Sequence, residues 1–359
     1  MKSIACAVAS IFRHARPELV AKTAAVTATF VCRVGLCLAV GLWLFGVASG
    51  QAGAQGNSYT DPNKADADFA FQGEYSGEVG AEGEKMRVGV QLIALGKGKF
   101  KAVAHIGGLP GDGWNGQEKH EVDGELQNDA VVIRANGITA TARNGILSIR
   151  DPDEKEVAKL MKVERRSPTL GSPPPSGAVV LFDGKSVDAW KDGKRDGELL
   201  VQGTTSKANF GSHSLHIEFR LPYEPEKRGQ ARGNSGIYIQ GRYEAQMLDS
   251  FGLSGEQNEC GGIYSVKKPD VNMCLPPLAW QTYDIEYTAG KYDDNGKCVT
   301  PPRITVSHNG VLIHKDVELP GDRNTTAAPL GPGKEPGPVY LQDHGNPVRY
   351  RNIWVKPKP

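Results

Sequence analysis

Short runs in which apolar and polar residues alternate, each cut off by Gly, Asn or Asp, recur along most of this chain and leave it little but β-structure to fold into. Between Phe69 and about Arg166 the runs are Gly73–Val79, Met86–Leu95, Lys99–His105, Glu121–Leu126, Ala130–Arg134, Ile138–Arg143 and Ile146–Arg150. Asn136-Gly137 and Asn144-Gly145 close two of them, and such pairs tolerate the positive φ that a two-residue hairpin demands. Glu154–Arg166 reads either as a helix, by the spacing of Val157, Leu160, Met161 and Glu164, or as a last strand. Residues 68–166 thus form a small β-domain, preceded by a polar linker at 55–67.

The Pro-rich stretch 167–177 (SPTLGSPPPSG) marks the internal boundary, because proline fixes φ and withholds a donor, giving a stiff connector. The pattern restarts with Ala178–Phe182 and Asp183-Gly184. It continues through Ser214–Arg220, Gly236–Ile239, Arg242–Asp249, Thr282–Thr288, Arg303–His308, Val311–Lys315, Val339–Asp343 and Tyr350–Val355. So many strands over residues 178–357 suit a two-sheet sandwich.

The first 54 residues read as a leader. Lys2, Arg13, Arg16, Lys22 and Arg33 precede an apolar run from Val34 to Val47, and Ala52-Gly53-Ala54 fits an A-x-A cleavage pattern. The run is short for a bilayer span, so export as a periplasmic, envelope or extracellular protein is expected. The alternatives are an uncleaved anchor, a start codon assigned too early, or a buried helix. Without the leader, 37 basic residues face 40 acidic ones, which gives no bulk charge for nucleic acid and leaves membrane contact to the leader alone. Cys260, Cys274 and Cys298 remain, and in an oxidising compartment Cys260–Cys274 is the expected disulfide, with three buried thiols as the other reading. No C-x-x-C or H-E-x-x-H occurs to mark a zinc site.

Two stretches carry the groups that chemistry needs. Along Arg242–Asp249 alternation puts Arg242, Glu244 and Gln246 on one strand face and Tyr243, Ala245 and Met247 on the other, and a bulge near Leu248 would turn Asp249 to the polar side. That row offers acid/base groups, or else a solvated sheet face with an Arg–Glu pair. In the run Tyr340–Pro347, Tyr340, Gln342 and His344 share a face. An imidazole can carry protons near neutrality or simply cap a hairpin end. His105, His120, His213, His216, His308 and His314 have no spaced partner and read as core or surface residues. Arg232, Asn234, Glu259, Tyr264, Asn272 and Trp280 supply loop amides, acids and aromatic platforms of the kind a sugar uses, although Trp280 and Trp190 alone read as core. Lys291–Gly296 reads as a hairpin turn rather than a calcium loop.

These residues give the chain a family likeness. Val180-Leu181-Phe182-Asp183-Gly184-Lys185-Ser186, the run Gly233–Glu244 with Gln246 and Asp249, Trp280–Asp284, His308-Asn309-Gly310 and Leu341–Pro347 together resemble the DUF1080 domain. That domain is described as a 3-keto-disaccharide hydrolase, or 3-keto-glucoside-1,2-lyase/3-keto-2-hydroxy-glucal hydratase. The resemblance spans about Ala178 to Lys356. It implies an all-β protein, a concanavalin A-like jelly-roll sandwich with a sugar cleft, preceded here by the smaller β-domain. Glu244-x-Gln246-x-x-Asp249 is similar to the E-x-D-x-x-E strand of laminarinase-type glycosidases, with Gln246 in place of the middle acid.

The implied chemistry begins from a ketone at C3, which acidifies the C2 proton. A base removes that proton, an enolate forms, the C1 substituent leaves, and water adds to the glucal. The resemblance then implies His344 or Glu244 as base, Arg242 near the enolate oxygen, and Asp249 or Glu244 near the glycosidic oxygen. Gln246, Gln342 and Tyr243 would orient hydroxyls, with Asn234, Tyr264 and Trp280 as further sugar contacts. A divalent metal is the one cofactor this chemistry would admit as enolate stabiliser, and no ligand set for it is legible. The competing functions are a non-catalytic, lectin-like sugar binder and a structural envelope protein whose first β-domain docks a partner.

Overall fold

A computed structural model of the protein describes residues 56–80 and 85–358. The leader and its cleavage site lie outside the described residues. Described helical structure is confined to three short 3-10 turns at Pro62–Lys64, Ala67–Ala70 and Gly229–Ala231, none able to cross a membrane.

Eight antiparallel strands close into a barrel: β1 Gly73–Val79, β2 Met86–Gly96, β3 Lys99–Ile106, β4 Lys119–Gln127, β5 Ala130–Ala135, β6 Ile138–Arg143, β7 Ile146–Arg150 and β8 Glu156–Val163. The open reading of Glu154–Arg166 resolves as a strand. β8 must pair with both β7 and β1 to close the sheet, and closure removes the exposed edges. Asn136-Gly137 and Asn144-Gly145 turn two hairpins with all four φ angles between 49° and 79°, as a two-residue turn of this hand requires.

The remaining strands make a sandwich. One sheet orders β10 (Trp190–Lys191), β13 (Thr204–Phe210), β22 (Gly337–Leu341), β15 (Ser235–Ile239) and β16 (Tyr243–Met247). The facing sheet orders β11 (Arg195–Asp196), β12 (Leu199–Val201), β23 (Arg349–Pro357), β14 (His213–Arg220), β17 (Trp280–Thr288), β20 (Arg303–His308) and β21 (Val311–Glu318), with β9 (Val179–Phe182) also paired to β23. β18 (Lys291–Tyr292) and β19 (Cys298–Thr300) form a separate hairpin, in which Asp293 Oδ1 accepts from the Asn295 and Lys297 amides, so the Lys291–Gly296 stretch is a turn as expected. Ile237, Ile239, Tyr243, Ala245, Met247, Val339 and Leu341 from the first sheet meet Leu215, Ile217, Phe219, Tyr283, Ile285 and Val355 from the second in one core.

Barrel and sandwich share their interiors. Tyr223 and Leu278 of the sandwich segment complete the barrel's apolar cluster, while Ile93 and Val103 of the barrel belong to the sandwich core. The described part of the polar stretch, residues 56–67, is tied to the sandwich segment. Tyr59 exchanges two backbone hydrogen bonds with Tyr223 (3.0 and 2.9 Å), and their rings stack at 5.8 Å. The Pro-rich connector is pinned as well, across the outer face of the larger sheet. Thr169 Oγ1 donates to Asp284 (2.6 Å), the Gly171 amide to Glu218 (2.5 Å), and the Ser172 carbonyl accepts from Asn352 and Trp354.

His105, His120, His213, His216, His308 and His314 are all buried, and His216 has acidic partners that sequence spacing did not reveal. His216 Nδ1 lies 2.6 Å from Asp284 on the neighbouring strand, and its Nε2 lies 3.7 Å from Glu218 under the connector. Burial alone would lower this imidazole's pKa, but the hydrogen bonds to Asp284 and Glu218 outweigh it and hold the value above the ordinary 6.5. The folded state therefore keeps the proton to higher pH than the unfolded chain, so the stabilisation is whole below 6.5 and is lost as pH rises through the raised value. His216→Gln is expected to lose about 2 kcal/mol at pH 6 in denaturant unfolding, and the gap to wild type should narrow at alkaline pH. A gap unchanged from pH 6 to 9 would contradict an imidazolium at this position.

Candidate active site

The outward face of the five-stranded sheet carries the site. Tyr243, Ala245 and Met247 seal the core, so Glu244 and Gln246 point the other way, as the alternation predicted. β15 pairs with β16 so that Tyr238 stands opposite Glu244 and Gly236 opposite Gln246. β16 is an edge strand, and a following loop covers it: Gln246 and Gly262 are joined by an N–H···O bond of 2.9 Å, and the Tyr264 amide donates to the Glu244 carbonyl at 3.2 Å. On the other side Thr325 Oγ1 accepts from the Glu244 amide (3.0 Å), which sets Thr326 and Ala327 at the rim.

The result is a cleft of about 130 Å³ lined by Gln230, Asn234, Tyr238, Glu244, Gln246, Tyr264, Thr326, Ala327, Gln342 and His344. Two stretches a hundred residues apart in sequence thus meet in one open trough, and it is not filled by the protein's own side chains.

Glu244 is 2% exposed and its Oε1 has no hydrogen-bond partner. Burial raises its pKa to about 8, against the opposing pull of the Tyr238 hydroxyl, so at neutral pH it holds a proton. The carboxyl has room only because residue 236 is glycine: a Cβ there would stand 2.0 Å from Glu244 Oε1. Asn234 Oδ1 and Gln342 Oε1 are also buried acceptors without partners. Their amide nitrogens are engaged, Asn234 Nδ2 with the Gln230 carbonyl (2.8 Å) and Gln342 Nε2 with the Tyr238 hydroxyl (3.1 Å). Unmet acceptors facing a cleft are the complement of substrate hydroxyls.

His344 is exposed on a short turn in which the Gly345 amide donates to Asp343 Oδ1 (2.9 Å). That turn is anchored from below by the fully buried Glu224. Its Oε2 accepts from Asn346 Nδ2 and from the Gly233 amide, both at 2.7 Å, and so ties the His344 turn to the Asn234 loop.

Several expected members of the site lie elsewhere. Asp249 does not turn into the cleft; it is buried in an ion pair with Arg232 (2.5 Å), because an uncompensated carboxylate beneath the sheet needs a cation. Arg242 sits just before the start of β16, its guanidinium donating to the Gly331 carbonyl (2.8 Å) and toward Gln240. Tyr243 faces the core, with its hydroxyl on the Pro320 carbonyl (2.7 Å). Trp280 stands at the start of β17 in the other sheet, under Arg351 and Arg220 at 4.0 and 5.0 Å from its ring centroid. Trp190 is core, as read.

Cys260 and Cys274 do not form the expected disulfide. Both are free thiols buried side by side, Cys260 Sγ 3.3 Å from the Tyr283 hydroxyl and Cys274 Sγ 3.5 Å from the Leu248 carbonyl, so polar neighbours satisfy them without a bond. Among the described residues no three His, Cys, Asp or Glu side chains gather as a metal-ligand set. Gln230, Tyr238 and Thr326 escaped the sequence reading. Tyr238 was within reach of it, since a strand partner opposite Glu244 must share its face.

The chain belongs to the 3-keto-alpha-glucoside-1,2-lyase-like domain family, whose model matches residues 177–356, half of the chain. Membership makes it a carbohydrate-active, glycoside-acting protein. It is similar to a candidate glycosyl hydrolase of known structure from Parabacteroides distasonis, with 33% identity over 51% of this chain and 85% of that one, and a TM-score of 0.47. A second candidate glycosyl hydrolase from the same organism is 18% identical over 51% of this chain and 94% of the other, with a TM-score of 0.38. No protein of curated function matches.

Gly236→Ala is expected to push the Glu244 carboxyl out toward solvent. In NMR titration of the glutamate carboxyl carbons, the resonance near pH 8 should move down toward the ordinary carboxylate range, with the fold retained. A titration left near 8 would show that the glycine does not set the position.

Proposed function

We propose that this protein cleaves 3-keto-glycosides by elimination across C1 and C2 followed by hydration. One observation carries the reading: a protonated carboxyl and an imidazole face the same cleft, and Glu244 is the only acid among the described residues that line it. Ordinary retaining or inverting hydrolysis needs two carboxyl groups flanking the bond. Elimination needs one base, one acid and a donor for the enolate oxygen.

The roles follow from environment. His344, exposed at the rim of the cleft, takes the C2 proton made acidic by the adjacent C3 ketone. The electron pair closes onto the C3 oxygen as an enolate, with the Tyr264 hydroxyl lining the cleft as a donor. The enolate reopens, the C1–O bond breaks, and Glu244 delivers its proton to the departing oxygen. Water then adds across the C1=C2 bond, so the sum is one glycoside plus one water giving an alcohol and a 3-keto sugar. Asn234, Gln246 and Gln342 hold the hydroxyls. The basic leader and its A-x-A pattern support an exported enzyme.

Purified protein given a 3-keto-glucoside should release free sugar, and Glu244→Gln and His344→Ala should each lower kcat by about a hundredfold or more. Because Glu244 acts in its protonated form, kcat should fall as pH rises past about 8. A protein that binds the keto-sugar and returns it intact is the lectin-like alternative. Full turnover in both variants would remove these assignments.

A further inference from the structure

A second cavity, about 520 Å³ and sharing no lining residue with the Glu244 cleft, opens where the ends of β1 and β8 face the loop Pro276–Ala279 ahead of β17. Its apolar wall is made by Phe69, Leu278 and Trp280. Donors outnumber carboxylates on its polar wall. Gln72 is 3% exposed; its Oε1 accepts from the Ala94 amide (3.1 Å), while its Nε2 has no partner. A buried N–H left unmet is destabilising, and a ligand acceptor would relieve it.

The charges point the same way. Lys162, half-buried, spends one proton on the Ala70 carbonyl (2.7 Å), and burial presses its pKa down, a penalty that an anion nearby would offset. Arg351 holds its guanidinium carbon 4.0 Å from the Trp280 ring centroid and gives its Nε to Glu218 (2.6 Å), which leaves its terminal N–H groups for an oxyanion. Arg166 stands exposed at the rim. Two carboxylates also line the cavity. Glu74 is gripped by Arg165 at 2.5 and 2.7 Å, which leaves the exposed Glu164 as the opposing charge.

We propose that this cavity is a second carbohydrate site that takes a carboxylate-bearing sugar, a uronic acid unit of an acidic glycan, with its ring against Trp280 and Leu278 and its carboxylate among Gln72, Lys162 and Arg351. An aromatic and aliphatic wall suits the C–H face of a pyranose, and a donor-rich wall suits a carboxylate with adjacent hydroxyls. The proposal rests on the carbohydrate-active family, not on the elimination chemistry.

The test is calorimetric titration of the full chain with digalacturonate, with neutral galactobiose, and with inorganic phosphate as competitor. Digalacturonate should bind at least tenfold more tightly than galactobiose, more weakly at high salt, and phosphate at equal concentration should not displace it. Trp280→Leu and the surface change Arg166→Gln should each weaken binding several-fold, whereas Glu244→Gln should bind as wild type does, which separates this site from the catalytic cleft. The proposal is overturned by no detectable binding of digalacturonate, by equal binding of the neutral disaccharide, or by displacement with phosphate. Weakening by Glu244→Gln but by neither of the other two variants would overturn it too.

Discussion

The alternation of side chains along Tyr243–Met247 is the constraint from which the site follows. Three of the five side chains must enter the sandwich interior to meet the facing sheet, and the pleat then forces Glu244 and Gln246 onto the opposite face. A slip of one residue would bury the acid in the core and expose Tyr243 and Met247. Pairing with β15 fixes that register, and β15 also brings a glycine beneath the carboxyl and a tyrosine beside it. Loops on both sides then exclude water, so the ionised form of Glu244 is penalised by a few kcal/mol, the size its raised pKa implies.

A face of a sheet becomes a reaction site only when a second segment closes over it. Here that segment is the Asp343–Asn346 turn, and its anchor is Glu224, a buried carboxylate whose hydrogen bonds go to the two loops that carry His344 and Asn234. The wider frame is equally cross-tied. Barrel and sandwich each complete the other's core, and two tyrosines clasp the N-terminal stretch to the sandwich. Fully burying a side chain such as Tyr223 or Leu278 contributes about 1.5–3 kcal/mol, so the barrel gains stability from its neighbour.

With a single acid in the cleft, catalysis would have to divide the proton traffic between unlike groups: a buried carboxyl that keeps its proton and an exposed imidazole that accepts one. Environments that push two groups apart in this way are how acid and base functions coexist at one pH. In the proposed elimination, a ketone at C3 would supply the activation that a second carboxylate provides in ordinary glycosidases.

The sequence by itself determined the β class, the two strand-rich regions, most strand positions and the partition of residues 243–247 between core and cleft. These are consequences of local alternation and turn chemistry, which act over a few residues. It also carried the family motifs and the six cleft residues Asn234, Glu244, Gln246, Tyr264, Gln342 and His344. It could not decide what a polar residue next to the cleft would touch. Asp249 found Arg232, Arg242 found backbone carbonyls, and Trp280 went to another surface, each through partners distant in sequence. Nor could it tell that Cys260 and Cys274 lie as satisfied thiols, that a Pro-rich connector is pinned over His216, or that Glu244 would hold its proton to about pH 8. Those outcomes depend on burial and on long-range pairing, and only the assembled sheets supply both.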